Sequence, residues 1–386
     1  MHPSDIEWLG ACGNKIKTPT GDLIDFTSAI LVSNLGHNNA SLSKRLSEIT
    51  SGENPNLFCY HYSSDLRKST EKKVVEFCGE SFENIYMCCT GSEATEAAIR
   101  VAHSLKKECE NPPYVIGFES NYHGRTLGSA LSANILGDKF YSQNIVALPP
   151  LNSFSNPQDL RDRIEQEINE NNGVFSGIII EAFRGWDSYF WNPKHIRELS
   201  NVCYKNKGLL IMDEMQSGFY RTGDKFAYEY YGITPDILCI GKALGNGVPV
   251  SAAVFSSHID KDTIRHNLSS TFQSHSLGCI ASTFVVETMS KAHFKEQLKN
   301  NISVFNDFLE KIPNQNIQIN KKGLVASILF SKTNQAKNMA AKLLEEKVLV
   351  IDTGKNALKL APPLNSNTES LRRGMEVILK TLKLNL

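Results

Sequence analysis

The stretch Pro235-Asp236-Ile237-Leu238-Cys239-Ile240-Gly241-Lys242-Ala243-Leu244-Gly245-Asn246-Gly247 carries an apolar run of strand length into a glycine-rich turn and delivers one lysine there. An amine leaving a hydrophobic strand is partly stripped of water, which favours its neutral, nucleophilic form. A lysine in that place is also the ordinary solvated cap of a strand, and the run alone does not separate the two readings. A second apolar run, Leu209-Leu210-Ile211-Met212-Asp213-Glu214, ends on Asp213, 29 residues before Lys242. An amine and a carboxylate on two strand ends are what pyridoxal 5'-phosphate (PLP) requires. The amine holds the aldehyde as a Schiff base, and the carboxylate keeps the pyridine nitrogen protonated.

Further apolar runs flank this pair. Ile85–Cys89, Tyr114–Glu119, Asn144–Leu148, Gly177–Ala182 and Ala252–Phe255 read as strands, and most are continuous rather than alternating, as in a sheet covered on both faces. Ser92–Lys106 reads as a helix with Ala94, Ala97, Ala98, Val101 and Leu105 on one stripe. The alternation predicts an α/β fold with a largely parallel central sheet and helices on both faces. After about Thr288 the pattern turns to longer amphipathic helices, clearest over Ala336–Lys347 and Ser370–Lys383. The expected organisation is a large domain over 51–288 and a smaller α+β domain from the two chain ends, 1–50 and 289–386.

Composition narrows the function. With 386 residues, 41 Lys+Arg against 41 Asp+Glu, and 41% hydrophobic residues, the chain is an ordinary globular one with no net field toward nucleic acid or an anionic membrane. The start, Met1-His2-Pro3-Ser4-Asp5-Ile6-Glu7-Trp8, has no basic region followed by an apolar run, so no secretion signal is expected. Nine irregularly spaced cysteines without a CxxC pair predict neither a disulfide framework nor a metal site, and suit a reducing cytoplasm.

The turn Thr90-Gly91-Ser92-Glu93 follows one strand and opens the Ala-rich helix. Thr90 and Glu93 have capping-box spacing, Gly91 allows close backbone approach, and a helix start can cradle a phosphate. The turn is equally a simple helix cap when read alone.

Together these stretches resemble the class III aminotransferases, the ornithine, acetylornithine and omega-amino type of PLP enzyme with fold type I. Thr90-Gly91-Ser92-Glu93-Ala94-Thr95-Glu96-Ala97 is similar to that family's phosphate turn, and Tyr122-His123-Gly124-Arg125 to its aromatic-His-Gly element. Asp213-Glu214-Met215-Gln216, the lysine loop, and Ser270-Thr271-Phe272 follow in the family's order, with weaker matches at Leu35-Gly36-His37 and Ala361-Pro362-Pro363-Leu364. The resemblance implies that Lys242 holds the cofactor and moves the proton, and that Asp213 pairs with the ring nitrogen. Tyr122 and Met215 would cover the two ring faces, Gln216 would reach the ring hydroxyl, and Glu181 would lie near the ring. Thr90, Gly91 and Ser92 would hold the phosphate, helped by Thr271 from a second subunit, which implies a homodimer. His123 and His37 read as structural residues.

The substrate end departs from the pattern. Many relatives carry Gln-Gly-Glu after the glutamate strand, with a C-terminal arginine as partner of that last glutamate. Glu181-Ala182-Phe183-Arg184-Gly185-Trp186 puts Arg184 and Trp186 in those places, and Leu358-Lys359-Leu360 puts a lysine at the arginine position. Lysine offers a point charge rather than a planar fork, so two-pronged carboxylate binding is weakened. Arg125, Lys359 and Trp186 are the substrate-binding candidates. The expected activity is a ping-pong transfer of an amino group from an amine or amino acid to an aldehyde or ketone, with a sugar or secondary-metabolite precursor as acceptor. An aminomutase or racemase is the rival within the fold. A non-catalytic PLP-binding module is the rival outside it, and binding alone would not need the electron sink that Asp213 supplies.

Overall fold

The computed structural model describes residues 6–51, 57–60, 62–135, 142, 144–313 and 316–385. The first five residues of the segment 1–50 therefore lie outside the described residues. Seven strands form the central sheet, in the spatial order Phe82–Cys88, Ser251–Ser256, Ile237–Ile240, Leu209–Asp213, Val174–Glu181, Pro113–Phe118, Ile145–Leu148. Ser251–Ser256 runs antiparallel to both its neighbours, and the remaining pairings are parallel. Leu209–Asp213, Ile237–Ile240 and Ser251–Ser256 are buried along their whole length, which is why they read as unbroken apolar runs.

Successive residues of these strands serve opposite faces. Leu209, Ile211, Ile237 and Cys239 pack with Ala94, Ala97, Ala98 and Val101 of the helix Gly91–Ser104. Leu210, Met212, Leu238 and Ile240 belong to the core on the other side, with Ile196, Leu199 and Val202 of Pro193–Lys205. This is the fold type I arrangement expected from the sequence. The strand boundaries move by up to a few residues: the run from Ile85 begins at Phe82, and that from Gly177 begins at Val174.

The chain ends meet. Gly10–Cys12, Lys15–Thr18 and Gly21–Asp25 form a small sheet that Val348–Leu349 joins in parallel, pairing Val348 with Ile24. A second small sheet takes Ile317–Lys322, Val325–Phe330, Ala357–Leu360 and Ile351–Asp352. Between them Ser28–Leu31 forms one left-handed turn, with φ of 48°, 50°, 62° and 64°. Side chains resist this conformation by about 1–2 kcal/mol per residue. The Ser28 hydroxyl, donating to Ala361 O at 2.7 Å, helps to hold it. His37, expected to be structural, pairs with Asp25 at 2.7 Å.

Arg221 is fully buried where three parts of the chain converge. It donates to Leu324 O at 2.9 Å and Pro362 O at 2.7 Å, and to Asn34 Oδ1 and Ser28 Oγ. Among the described residues no carboxylate pairs with it directly, and burial pushes its guanidinium down to about 9. Among the described residues no helix is long and apolar enough to cross a membrane.

Candidate active site

A cavity of about 1020 Å³ opens at the carboxyl ends of the parallel strands, where α/β sheets place their ligands. Lys242 sits on its wall just past Ile237–Ile240, with φ of 41°. That left-handed backbone is unfavourable for a side-chain-bearing residue and belongs to the kind of strained position found at functional sites. Desolvation lowers the Lys242 pKa, and the negative charges of Asp213 and Glu181 oppose the shift.

Asp213 ends its strand in register with Cys239 on one side and Glu181 on the other. It is 4% exposed. Its Oδ1 accepts from the Met215 N–H at 2.9 Å, and its Oδ2 lies 2.9 Å from His123 Nδ1. Such an anchored carboxylate keeps one orientation. Glu181 sits behind the cavity wall, where its Oε2 accepts from the Tyr122 N–H at 2.9 Å and the Gly185 N–H at 3.4 Å. Burial, then the charge of Asp213, push its carboxyl up to about 8.

The helix Gly91–Ser104 points its N-terminus into the cavity. Thr90 and Glu93 complete the expected capping box, with Thr90 Oγ1 accepting from the Glu93 N–H at 3.3 Å. Gly91 and Ser92 line the cavity, whereas Thr90, its hydroxyl taken up by the cap, does not. A Cβ on Gly91 would stand 3.1 Å from Met215 Sδ, so the thioether and the turn are in direct contact. Tyr122 and Met215 line the same cavity, as do Gln216, Trp186, Arg125 and Lys359. The buried carboxylate, the desolvated amine and the helix start fit the ring nitrogen, aldehyde and phosphate of PLP.

The candidate Lys359, and Arg184 beside the candidate Trp186, are spent on protein partners. Arg184 grips Asp187 through two bonds of 2.9 and 2.6 Å, donates to Asn152 Oδ1 at 2.9 Å, and lies 4.7 Å over the Trp186 ring. It is a buried wall support and does not line the cavity. Lys359 donates to Gly185 O, and to Gln216 Oε1 at 2.9 Å, and burial pushes its amine down to about 7. Arg125 keeps most of its donors open, using Nε on the Tyr122 hydroxyl at 3.1 Å. Thr271 and its neighbour Phe272 are exposed and away from the cavity of their own chain.

The sequence reading passed over several residues of the site. Asn121 lines the cavity and accepts from the Glu181 N–H at 3.1 Å; its place beside Tyr122 was the available signal. Ile30, Ile351, Asp352 and Lys355 form the outer wall, and no motif marks them.

The model of the aminotransferase class-III family matches residues 10–382. The chain belongs to the class-III aminotransferases. It is 29% identical to the acetylornithine aminotransferase of Clostridium acetobutylicum over 378 residues, covering 96% of this chain and 95% of that one. Among solved structures, the acetylornithine aminotransferase from Elizabethkingia anophelis superposes with a TM-score of 0.81 at 24% identity, covering 100% and 95% of the two chains. The ornithine aminotransferase from Toxoplasma gondii, whose structure shows partial occupancy of PLP at its active site, gives 0.86 at 20% identity, covering 98% and 90%. This class-III aminotransferase is therefore an enzyme of amino transfer with PLP as its cofactor.

Proposed function

We propose that this aminotransferase works by two half-reactions at one site, the donor's carbonyl product leaving before the acceptor binds. The donor is an amine or amino acid and the acceptor an aldehyde or ketone. The observation that carries the reading is the pair Lys242 and Asp213 on one cavity wall, with a lowered lysine pKa and a buried, fixed carboxylate. Bound PLP supplies an aldehyde for amine exchange and a ring that draws electrons away from the substrate carbon.

The protein's residues do the rest. Lys242 would hold the cofactor's aldehyde and would serve as the base that carries a proton to and from the substrate carbon. Asp213, held by His123 and the Met215 N–H, keeps the ring nitrogen protonated. Gly91 and Ser92 hold the phosphate with their N–H groups and the helix dipole. Tyr122 and Met215 would cover the ring, and Gln216 would approach its hydroxyl. Trp186 in place of a charged switch residue favours a neutral, bulky acceptor such as a sugar or secondary-metabolite precursor.

The same reading includes a homodimer in which Thr271 of one subunit serves the phosphate of the other, a cytoplasmic location, and a division of the chain at about 50 and 288. The pairing of Val348–Leu349 with Ile24–Asp25 supports joining the two ends in one small domain.

Borohydride treatment of the yellow holoenzyme tests the centre of the proposal. The cofactor should be fixed to the peptide carrying Lys242, and Lys242→Ala should lose turnover while keeping its fold. Labelling of another lysine would sink the assignment. Release of a keto product with donor alone separates amino transfer from an aminomutase or racemase, which would release none.

A further inference from the structure

Lys359 occupies the position from which a substrate carboxylate would be gripped, yet its amine turns inward. It is 2% exposed, on the strand Ala357–Leu360, which is buried throughout. Its Nζ donates to Gly185 O and to Gln216 Oε1. An ammonium offers only donors, so Gln216 must present its Oε1 to Lys359, and its NH2 becomes the end available to a ligand. The Gly185 peptide is held at both ends, its carbonyl by Lys359 and its N–H by Glu181 Oε2. A Cβ at Gly185 would lie 2.3 Å from Gln216 Nε2 and 2.7 Å from Glu181 Oε1, so any larger residue there would push these two side-chain ends aside. Trp186 follows directly and forms the cavity wall.

We infer that Lys359 is a positioning residue: it sets the Gln216 amide toward the ring-oxygen edge of PLP and locks the Gly185–Trp186 wall, and it does not bind the substrate's carboxylate. This rests on the PLP reading of the site. Two of the three ammonium donors are spent on Gly185 O and Gln216 Oε1, so a two-pronged grip on a carboxylate would have to release the wall or the amide. The inward role also accounts for a lysine here. The single ammonium at the end of a flexible stem serves oxygens from two separate segments, a backbone carbonyl and a side-chain amide, whereas a guanidinium fork suits the paired oxygens of one carboxylate.

The holoenzyme and the variants Lys359→Met, Gln216→Leu, Lys359→Arg and the Met/Leu double variant provide the test. Three quantities are measured: the pH midpoint of the visible absorbance of bound PLP, PLP affinity on reconstitution, and KM for a carboxylate-bearing donor and a plain amine. Lys359→Met and Gln216→Leu should shift the midpoint in the same direction. Each should weaken PLP binding by about tenfold to a hundredfold, the range for a hydrogen bond to a charged group. The double variant should be no worse than the weaker single, because the two act as one unit. Lys359→Arg should recover part of the loss, and the KM values for both donors should change alike. An unchanged absorbance midpoint and PLP affinity, with KM raised only for the carboxylate donor, would overturn the inference. If Lys359→Met does not fold, Gln216→Leu decides, and an unshifted midpoint there overturns it. Wild-type protein that takes up no PLP would overturn the cofactor reading itself, an outcome distinct from unshifted variants.

Discussion

His123 Nδ1 stands 2.9 Å from Asp213 Oδ2, with both side chains buried, and joins the loop after Pro113–Phe118 to the end of Leu209–Asp213. The histidine fixes the orientation of the carboxylate that the proposed function sets against the ring nitrogen of PLP.

That relationship ranks two substitutions. Asp213→Asn should keep PLP bound and lower kcat by about 10²–10³-fold, as for other fixed electrostatic partners of a transition state. His123→Leu should cost about tenfold, the worth of one hydrogen bond to a charged group. The double variant should match Asp213→Asn, since His123 acts through Asp213. Steady-state kcat for the three proteins checks this, and an additive double variant would show a separate role for His123.

Arg125 is a cavity cation whose guanidinium keeps donors to spare among the described residues. Arg125→Ala should lower kcat/KM about two- to fivefold for a carboxylate-bearing donor and little for a plain amine, the scale of a solvent-exposed ion pair. Equal losses would make it structural. Trp186→Glu with Lys359→Arg should not improve activity on the native acceptor, because Arg184 and Asp187 already fix this wall without a switch.

Thr271 and Phe272 stand exposed on the single chain, Phe272 at 61%. If they seat against a second copy, active enzyme should sediment as a dimer. Thr271→Ala should then weaken PLP retention on dialysis without altering borohydride labelling at Lys242. A fully active monomer would refute the shared site.

Glu181 predicts a pH dependence of the apoenzyme. Its carboxyl is raised from 4.5 to about 8 in the folded chain, so between those values the folded state holds a proton that unfolding releases. Its contribution is present below about 4.5 and is lost as pH rises through about 8. Lys359 acts oppositely, because its amine is lowered from 10.5 to about 7, and its contribution returns as pH climbs from about 7 to 10.5. Apoenzyme Tm should therefore pass through a minimum near pH 7–8. Glu181→Gln should lessen the fall between pH 5 and 8 by a few degrees, with Glu214, raised to about 7, supplying part of what remains.

The central sheet was legible because fully buried strands leave unbroken apolar runs, and its catalytic residues because they end those runs. The direction of Ser251–Ser256 was not legible, since an antiparallel strand buried on both faces looks the same as a parallel one. Side-chain partners were hidden for a different reason. Lys359 meets Gly185 across 174 residues and Gln216 across 143, and no local pattern encodes such meetings. The role of Arg184 was hidden although its partner Asp187 is only three residues away, because a short hairpin, Phe183–Arg184 with Tyr189–Phe190, turns the pair inward.

The bond from Ser28 to Ala361 spans 333 residues, and Arg221 beside it reaches Pro362. During synthesis the helices and strands between 65 and 289 can assemble as they emerge, whereas these long-range bonds must wait for nearly the last segment of the chain. The far wall of the cavity, Ile351 to Lys359, arrives in the same late stretch. Lys242 and Asp213 can therefore stand on the rim of the sheet before the residues that enclose the pocket have been made.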